Sequence, residues 1–546
     1  MPTFDFSFKD FQNLVGKKLP RNHEKLWDIL LFVKSEVEEL EGDTLNVEVA
    51  DTNRPDLWCV EGLARALKGA LNLETGLPVY KSKKSNYELK VDKSVKKIRP
   101  YIACAVVKNL NFNDPIIQQL IQLQLKLDTT YGRRRRKSAI GIYDFDRIKF
   151  PVTYKTVKPG GISFIPLGFE KRMTPEEILS EHPKGIEFGS IISSCKKYPI
   201  LVDADKKVLS MPPIINSDDV GKITEATKNV FVEVTGTSLS NVISALNLVA
   251  STLADRGGTV ENVKVKYGRK AMMTPVFKSE IFRINKASII KRLGIELNDK
   301  RIRDLLERAR FGVKKVTDDS VSVQVPFYRT DIMHEFDVIE DIGIMYGYEN
   351  IISEDLKIST NGGLLGLSDY TRVLRKLIAG LGYQEILNYY RVDKEVLFNA
   401  DCVEIANPMS NSMNALRNEL LPVSLNFLSR NTHNEYPQKI FEVGRVFEKK
   451  KAEVSEHNHL ILVACGADAD FTTVRQETEW VLNNLSVKYE IKEYDHGAFI
   501  KGRCAAIIIK DKVAGYFGEI NPETLARFNL ENPAIALELN LKKLMQ

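Results

Sequence analysis

Four of the six carboxylates within RTDIMHEFDVIEDIGIMYGYEN, residues 329–350, fall at Asp331, Asp337, Glu340 and Asp341. At about 100° per residue, Asp337, Glu340 and Asp341 share one narrow helix face, with Val338, Ile342, Met345 and Tyr346 opposite. Like charges at helical spacing repel by roughly a few tenths of a kcal/mol per pair. A divalent cation would relieve that repulsion, and Mg²⁺ takes one or two carboxylates directly while keeping several waters. A solvated acidic face would carry the same residues with no ligand. A second run, YGRRRRKSAIGIYDFD, sets five basic residues in succession from Arg133 to Lys137. Such a run holds nucleic-acid phosphates or is simply a solvated surface.

Other chemistries find little material. The cysteines Cys59, Cys104, Cys195, Cys402, Cys465 and Cys504 are scattered singly, so zinc ribbons and disulfide frameworks are not expected. His457 and His459 lie in KKKAEVSEHNH, which reads as a surface loop. No G-x-x-x-x-G-K-[ST] nucleotide loop and no G-x-S-x-G elbow is present. The first residues, MPTFDFSFKDFQNL, carry acids and no apolar run of signal-peptide length. No segment approaches the ~18 apolar residues that span a bilayer. The expectation is a soluble, cytoplasmic protein with reduced, mostly buried thiols.

The elements that must position these residues belong to a long chain. Its 546 residues suggest about three to five domains, and 43% hydrophobic with 27% charged residues is globular composition. The net charge of +6 permits a nucleic-acid partner without demanding one. Residues 1–85 alternate strands and helices. LNVEVADTNRPDL gives a strand through Leu45, Val47 and Val49, and VEGLARALKGAL a helix whose Gly69 implies close packing. Residues 86–272 hold strands at IACAVVKNL and NVFVEVTG and the amphipathic helix LSNVISALNLVASTLADRGG. Residues 276–352 read as helix, turn, helix, then the strand VSVQVPFY and the acidic helix. This echoes a DNA-binding fold, but DKRIRDLLERAR mixes acids with bases, so a packing pair is expected and no DNA. SEDLKISTNGGLLGLSDY reads as a linker within 353–546. The remainder is α+β with an antiparallel sheet: PVSLNFLSRN starts a helix with Pro422 in its first turn, and RCAAIIIK pairs with VAGYFGEI around Asp511-Lys512.

Several blocks occur in a familiar order: DTNRPDLWCVEGLAR, YGRRRRKSAIGIYDFD, MTPEEILSEHPKG, VLSMPPIINSDDVG, VFVEVTGTS, YRTDIMHEFDVIEDIGIMYGYENI and NALRNELLPVSLNFLSRN. The chain resembles the phenylalanyl-tRNA synthetase β subunit of the shorter archaeal and eukaryotic type, along nearly its whole length. The resemblance implies an α+β multidomain protein. Its parts would be an N-terminal α/β domain (1–85), a mixed α/β editing domain that hydrolyses Tyr-tRNA(Phe) (86–272), a helix-turn-helix-like domain (276–352) and a class II synthetase-like domain (353–546).

The same resemblance implies site residues. Asp331, Asp337, Glu340 and Asp341 would bind a Mg²⁺ shared with the α subunit. Leu201, Ser210, Glu233 and Thr235 would line a tyrosine pocket. Glu233 and Thr235 alternate on one strand and so share a face, and Ser210 and Asn216 flank Pro212-Pro213. Family members often carry aspartate where this chain has Glu233, which moves the carboxylate by about one C–C bond. No Cys–His or Ser–His pair offers a nucleophile, so a positioned water is expected. Arg133, Arg134, Arg135 and Arg136 would hold the tRNA acceptor end.

The last domain would be catalytically silent. AGYFGEINPE follows Gly518 with Glu519 and Ile520, where the fold would carry an ATP-binding arginine. Arg417 in NALRNELL is assigned to a salt bridge or a subunit contact. Synthesis, with ATP as substrate, would then belong to the α subunit of an α₂β₂ heterotetramer acting on tRNA(Phe). Two rival readings are a nucleic-acid-binding scaffold and a free-standing editing hydrolase.

Overall fold

The computed structural model describes residues 2–355, 359–399, 401–451 and 453–545. The chain divides into two compact units, 1–355 and 356–546. The architecture is mixed α/β with several sheets.

The first unit begins with a sheet in the order Thr3–Ser7, Thr44–Val49, Ser35–Glu41, all antiparallel. Leu45, Val47 and Val49 are sealed in its core, as their alternation requires. In helix Val60–Ala70, a Cβ added to Gly69 would run into the backbone carbonyl of Arg308, so only glycine lets the two segments approach this closely.

Among the described residues, ten strands form the main sheet. Five of them frame the candidate site: β1 (Tyr101–Lys108), β2 (Ser138–Asp144), β3 (Tyr198–Val202), β4 (Val208–Met211) and β5 (Val230–Gly236). β5 lies between β1 and β2, antiparallel to both. Helix α1 (Leu239–Asp255) covers β1 and β5. Its residues Val242, Leu246, Val249 and Leu253 recur at three- and four-residue spacing and are buried.

A small sheet follows, in the order Glu280–Asn285, Ser320–Val325, Gly312–Val316, with helices Lys286–Leu293 and Asp299–Arg308 packed beside it. Helix α2 (Glu335–Tyr346) closes the unit. Its Val338, Ile342 and Met345 are buried. Asp341 is buried too, which the helical wheel alone does not require; its partner is described below.

In the second unit a sheet runs Gln384–Glu385, Gln438–Lys450, Glu453–Cys465, Ala534–Asn540, Lys512–Ile520, Phe499–Ile509, Glu490–Glu493. It is antiparallel apart from the first pair. Lys510 and Asp511 both have positive φ, the geometry of a two-residue hairpin turn, which lies one residue before the expected Asp511-Lys512 because Lys512 already pairs with Ile509. Helix Leu421–Ser429 begins with Pro422 at its start. Two expectations change here. The stretch containing His457 and His459 is no loop: both sit in strand Glu453–Cys465, His457 against Glu448 and His459 against Glu538. The expected linker ends early, because helix Gly366–Gly380 starts inside it. The alternation of Val454, His457 and His459 with polar neighbours is weak, and it is cross-strand pairing that fixes this hairpin. Among the described residues, no helix is long and apolar enough to cross a membrane.

Candidate functional site

Strand β5 supplies the centre. Paired on both edges, it projects Glu233 and Thr235 from one face, and both are buried. That face floors a cavity of about 380 Å³. Ser210 on β4, the Pro212-Pro213 turn and Asn216 form one side, while Ile117 and Leu120 of helix Asp114–Lys126 and Ile142 of β2 make an apolar wall.

Glu233 is only 3% exposed, so its carboxylate depends on protein partners. Oε1 accepts from the Tyr143 hydroxyl at 2.9 Å, and the same hydroxyl lies 2.8 Å from Ser210 Oγ. Oε2 is buried with no hydrogen-bond partner. Burial pushes the Glu233 carboxyl up to about 7. The Tyr143 hydrogen bond and Arg99 oppose that rise, and Asp128 adds to it. Gly141 faces Glu233 across the β2–β5 ladder, and a Cβ there would strike both Tyr143 Oη and Glu233 Oε1. Its missing side chain makes room for the glutamate.

Arg99 anchors the other end of the floor. Fully buried, it donates from Nε to Thr235 Oγ1 (2.9 Å), from Nη2 to Thr235 O (2.7 Å) and from Nη1 to the Arg135 carbonyl (3.0 Å). It thereby ties Thr235 to the basic run. Arg133, Arg134 and Arg135 all have left-handed φ, at about 1–2 kcal/mol each. The turn is held by Arg133 N–H to Thr130 O, Arg134 N–H to Thr129 O and Arg135 N–H to Asp128 O.

The expected site residues separate into those the fold gathers and those it does not. Ser210, Asn216, Glu233 and Thr235 all line the cavity. Leu201 does not: on β3 it pairs with Ser210 but faces the core cluster containing Cys104, Tyr143 and Phe231, a wall behind the cavity. Arg133, Arg134 and Arg136 are exposed. Arg135 departs from its expected place on the tRNA side, because its guanidinium turns inward. It pairs with buried Asp128 at 3.0 Å, donates to the carbonyls of Pro213 (3.2 Å) and Ile214 (2.8 Å), and lies over the Phe188 ring. Asp128 is pushed by burial up to about 6, against the pull of Arg135.

The sequence reading missed Tyr143, Gly141 and Arg99. A glycine inside the strand SAIGIYD was the one available signal, since isolated strand glycines mark a close approach.

The four acids of the opening motif do not form one shell. Arg329, 3% exposed at its side chain, bonds both Asp331 and Asp341 at 2.7 Å. Lys34 Nζ pairs with Asp51 (2.6 Å) and Glu340 (3.1 Å) and lies 4.0 Å from Asp341. Asp337 caps its own helix, Oδ2 accepting the backbone N–H groups of Met333 and His334 at 2.7 Å each. Burial alone would raise Asp331, but Arg329 and Arg54 outweigh it and bring the carboxyl down to about 2. Among the described residues, no three His, Cys, Asp or Glu side chains gather as a metal-holding group. In this chain alone, Asp331 and Asp341 are neutralised by an internal guanidinium. Asp337 and Glu340 remain on the outer helix face, Glu340 half exposed. Two carboxylates suit Mg²⁺, which draws its other ligands from water or another molecule.

In the second unit Arg417 is fully buried, 2.6 Å from Glu442, and donates to the Arg445 carbonyl. It is a structural ion pair, as its sequence assignment holds. Glu519 pairs with Arg503 at 2.8 Å.

Comparison with known proteins adds the family context. A profile described as the tRNA synthetase B5 domain matches residues 282–348, and one described as the phenylalanyl tRNA synthetase beta chain CLM domain matches 355–541. The chain is 41% identical to the phenylalanine–tRNA ligase beta subunit of Pyrococcus abyssi and 35% identical to that of Methanosphaera stadtmanae, with 100% of each chain covered in both cases. It is also similar to the crystal structure of an N-terminal fragment of the phenylalanyl-tRNA synthetase beta subunit from Pyrococcus horikoshii, with a TM-score of 0.61 and 43% identity. That match covers 64% of this chain and 100% of the fragment.

Proposed function

The chain belongs to the phenylalanyl-tRNA synthetase β-subunit family, and from that membership we propose that its β5 cavity hydrolyses Tyr-tRNA(Phe) while an α subunit performs synthesis. The observation that carries this reading is the pair of buried residues Glu233 and Ser210 at the floor of a cavity with an apolar wall, joined from behind by the Tyr143 hydroxyl. A pocket shaped for phenylalanine rejects tyrosine by only about a hundredfold, because an added hydroxyl meets no strong penalty. A second pocket that hydrogen-bonds the phenol reverses the preference, by about 10⁴ to 10⁵. Glu233 Oε2, buried and without a partner, is the acceptor such a phenol requires. The cavity offers no nucleophilic pair, so the ester is attacked by a water held near the bound aminoacyl end. Exposed Arg133, Arg134 and Arg136, which flank the cavity-lining Arg135 in sequence, hold the tRNA phosphates.

In this reading residues 86–272 are the editing domain, 1–85 and 276–352 its supports, and 353–546 a silent synthetase-like domain that docks the α subunit in an α₂β₂ assembly. ATP is consumed on the α subunit. The test is hydrolysis of Tyr-tRNA(Phe) and Phe-tRNA(Phe) by the co-expressed complex. Tyr-tRNA(Phe) is expected to be cleaved at least about a hundredfold faster. Equal, slow cleavage of both would discard the pocket.

In this reading Mg²⁺ sits at the Asp337–Glu340 edge, displacing Lys34 from Glu340 and completed by waters and by the partner subunit. Bound there, it would screen the helix carboxylates from one another. Asp337→Asn with Glu340→Gln is expected to weaken Mg²⁺ binding to the complex at least tenfold in calorimetric titration. Unchanged affinity would remove the site.

A further inference from the structure

Tyr143 has so far served only as a partner to others. It is wholly buried, its ring packs on Phe231, and its hydroxyl lies between two oxygens, Ser210 Oγ at 2.8 Å and Glu233 Oε1 at 2.9 Å. A phenol has a single proton to give. Only one of these two bonds is therefore donated by Tyr143, and the other must be donated to it.

The protonation state of Glu233 decides which. An ionised carboxylate only accepts. Tyr143 then donates to Glu233, Ser210 donates to Tyr143, and Ser210 offers lone pairs to the cavity. When Glu233 carries a proton on Oε1, every bond reverses. Glu233 donates to Tyr143, Tyr143 donates to Ser210, and the Ser210 hydrogen is free to turn into the cavity. The cavity floor thus has an acceptor state and a donor state.

We propose that Tyr143 is a positioning residue that relays the charge of Glu233 to Ser210, so that the cavity accepts a phenolic O–H best in its acceptor state, when Glu233 Oε2 is ionised and both Ser210 lone pairs are open. The proposal rests on the reading that the cavity receives a tyrosyl group. It deepens that reading by making the selectivity proton-gated.

The surroundings permit such a switch. Facing Glu233 are Arg99, Asp128 and Tyr154, along with Cys104 on β1 and Tyr143 on β2. Burial drives the Tyr143, Tyr154 and Cys104 groups up, so none of them ionises near neutrality. Asp128 titrates near Glu233, but it pairs with Arg135 and accepts from the Ile140 backbone N–H, with no bond to Tyr143 or Ser210 among the described residues. Arg99 stays charged throughout.

The experiment measures hydrolysis of Tyr-tRNA(Phe) and Phe-tRNA(Phe) by the co-expressed complex between pH 5.5 and 8.5, for wild type, Tyr143→Phe and Ser210→Ala. Wild-type cleavage of Tyr-tRNA(Phe) is expected to rise as pH passes through about 7, where Glu233 ionises. Tyr143→Phe removes the hydrogen bond that favours the ionised carboxyl, so its rise should move to higher pH. At pH 7 its rate should fall by about tenfold, with a matching loss of tyrosine-over-phenylalanine selectivity. Ser210→Ala should lose selectivity with the position of the rise unchanged, which keeps the proposal testable if Tyr143→Phe does not fold. A Tyr143→Phe profile of wild-type shape, lowered uniformly, would overturn the relay, as would a rise set by Asp128, which Tyr143→Phe would leave in place. Failure of the underlying reading looks different: wild type itself would not prefer Tyr-tRNA(Phe), and the proposal would fall with it.

Discussion

Glu233→Gln is expected to slow Tyr-tRNA(Phe) hydrolysis by about a hundredfold while making the protein more stable at pH 8. The first effect follows from the loss of a charged acceptor. A hydrogen bond to an ionised, buried group is roughly twice as strong as a neutral one, and its removal from a site built for a hydroxyl costs about 3 kcal/mol. The amide still accepts from Tyr143, so the floor keeps its shape. The second effect follows from linkage. The folded-state carboxyl lies at about 7, above its unfolded value, because burial opposes its charge. Its favourable contribution is therefore complete below the unfolded value and is lost as pH rises through about 7. At pH 8 the ionised glutamate costs the fold on the order of 3 kcal/mol, which glutamine does not. Urea midpoints of wild type and variant at pH 5 and pH 8 check this: the variant should gain only at the higher pH. A variant that keeps full hydrolysis, or gains no stability at pH 8, would contradict the geometry.

Arg329→Ala is expected to destabilise the first unit by about 3–5 kcal/mol, the penalty for leaving a buried charge without its partner. Asp331 and Asp341 both bond this guanidinium at 2.7 Å with side chains 6% exposed, and the cations left to them stand farther off, Arg54 at 3.8 Å from Asp331 and Lys34 at 4.0 Å from Asp341. The pH dependence gives the signature. In wild type the Asp331 carboxyl is depressed to about 2 by Arg329 and Arg54. Its contribution is present above the unfolded value of about 4 and is lost as pH falls towards 2. In the variant, burial acts with less opposition and Asp331 protonates more readily, so the difference from wild type should shrink in acid. Thermal or urea unfolding at pH 7 and pH 3.5 measures it. A constant difference at both pH values would mean that the arginine acts through packing on Phe311 and not through charge.

How much could be read in advance varies from residue to residue. Glu233 and Thr235 were legible because a strand alternates its side chains, so their shared face needs no knowledge of the rest of the molecule. The hairpin at residues 510–511 and the helix starting at Pro422 were legible for similar local reasons. Arg135 was not. In sequence it is the third of five basic residues, and only the buried Asp128 and the Pro213 and Ile214 carbonyls distinguish it from its neighbours. The acidic helix shows the same division. Its periodicity places Asp337, Glu340 and Asp341 together, but the cations that meet Asp341 and Glu340 come from Arg329 and from Lys34, which lies 306 residues before Glu340.

The sequence alone therefore determined the family, several of the helices and strands, and which residues share a face, because those follow from short-range periodicity and from matched blocks. Only the tertiary structure decided what stands opposite each face. It put Tyr143 between Ser210 and Glu233, Leu201 behind the cavity, and a guanidinium between Asp331 and Asp341. A buried charge takes its protonation and its role from the groups within a few ångströms, and the fold draws those groups from distant parts of the chain.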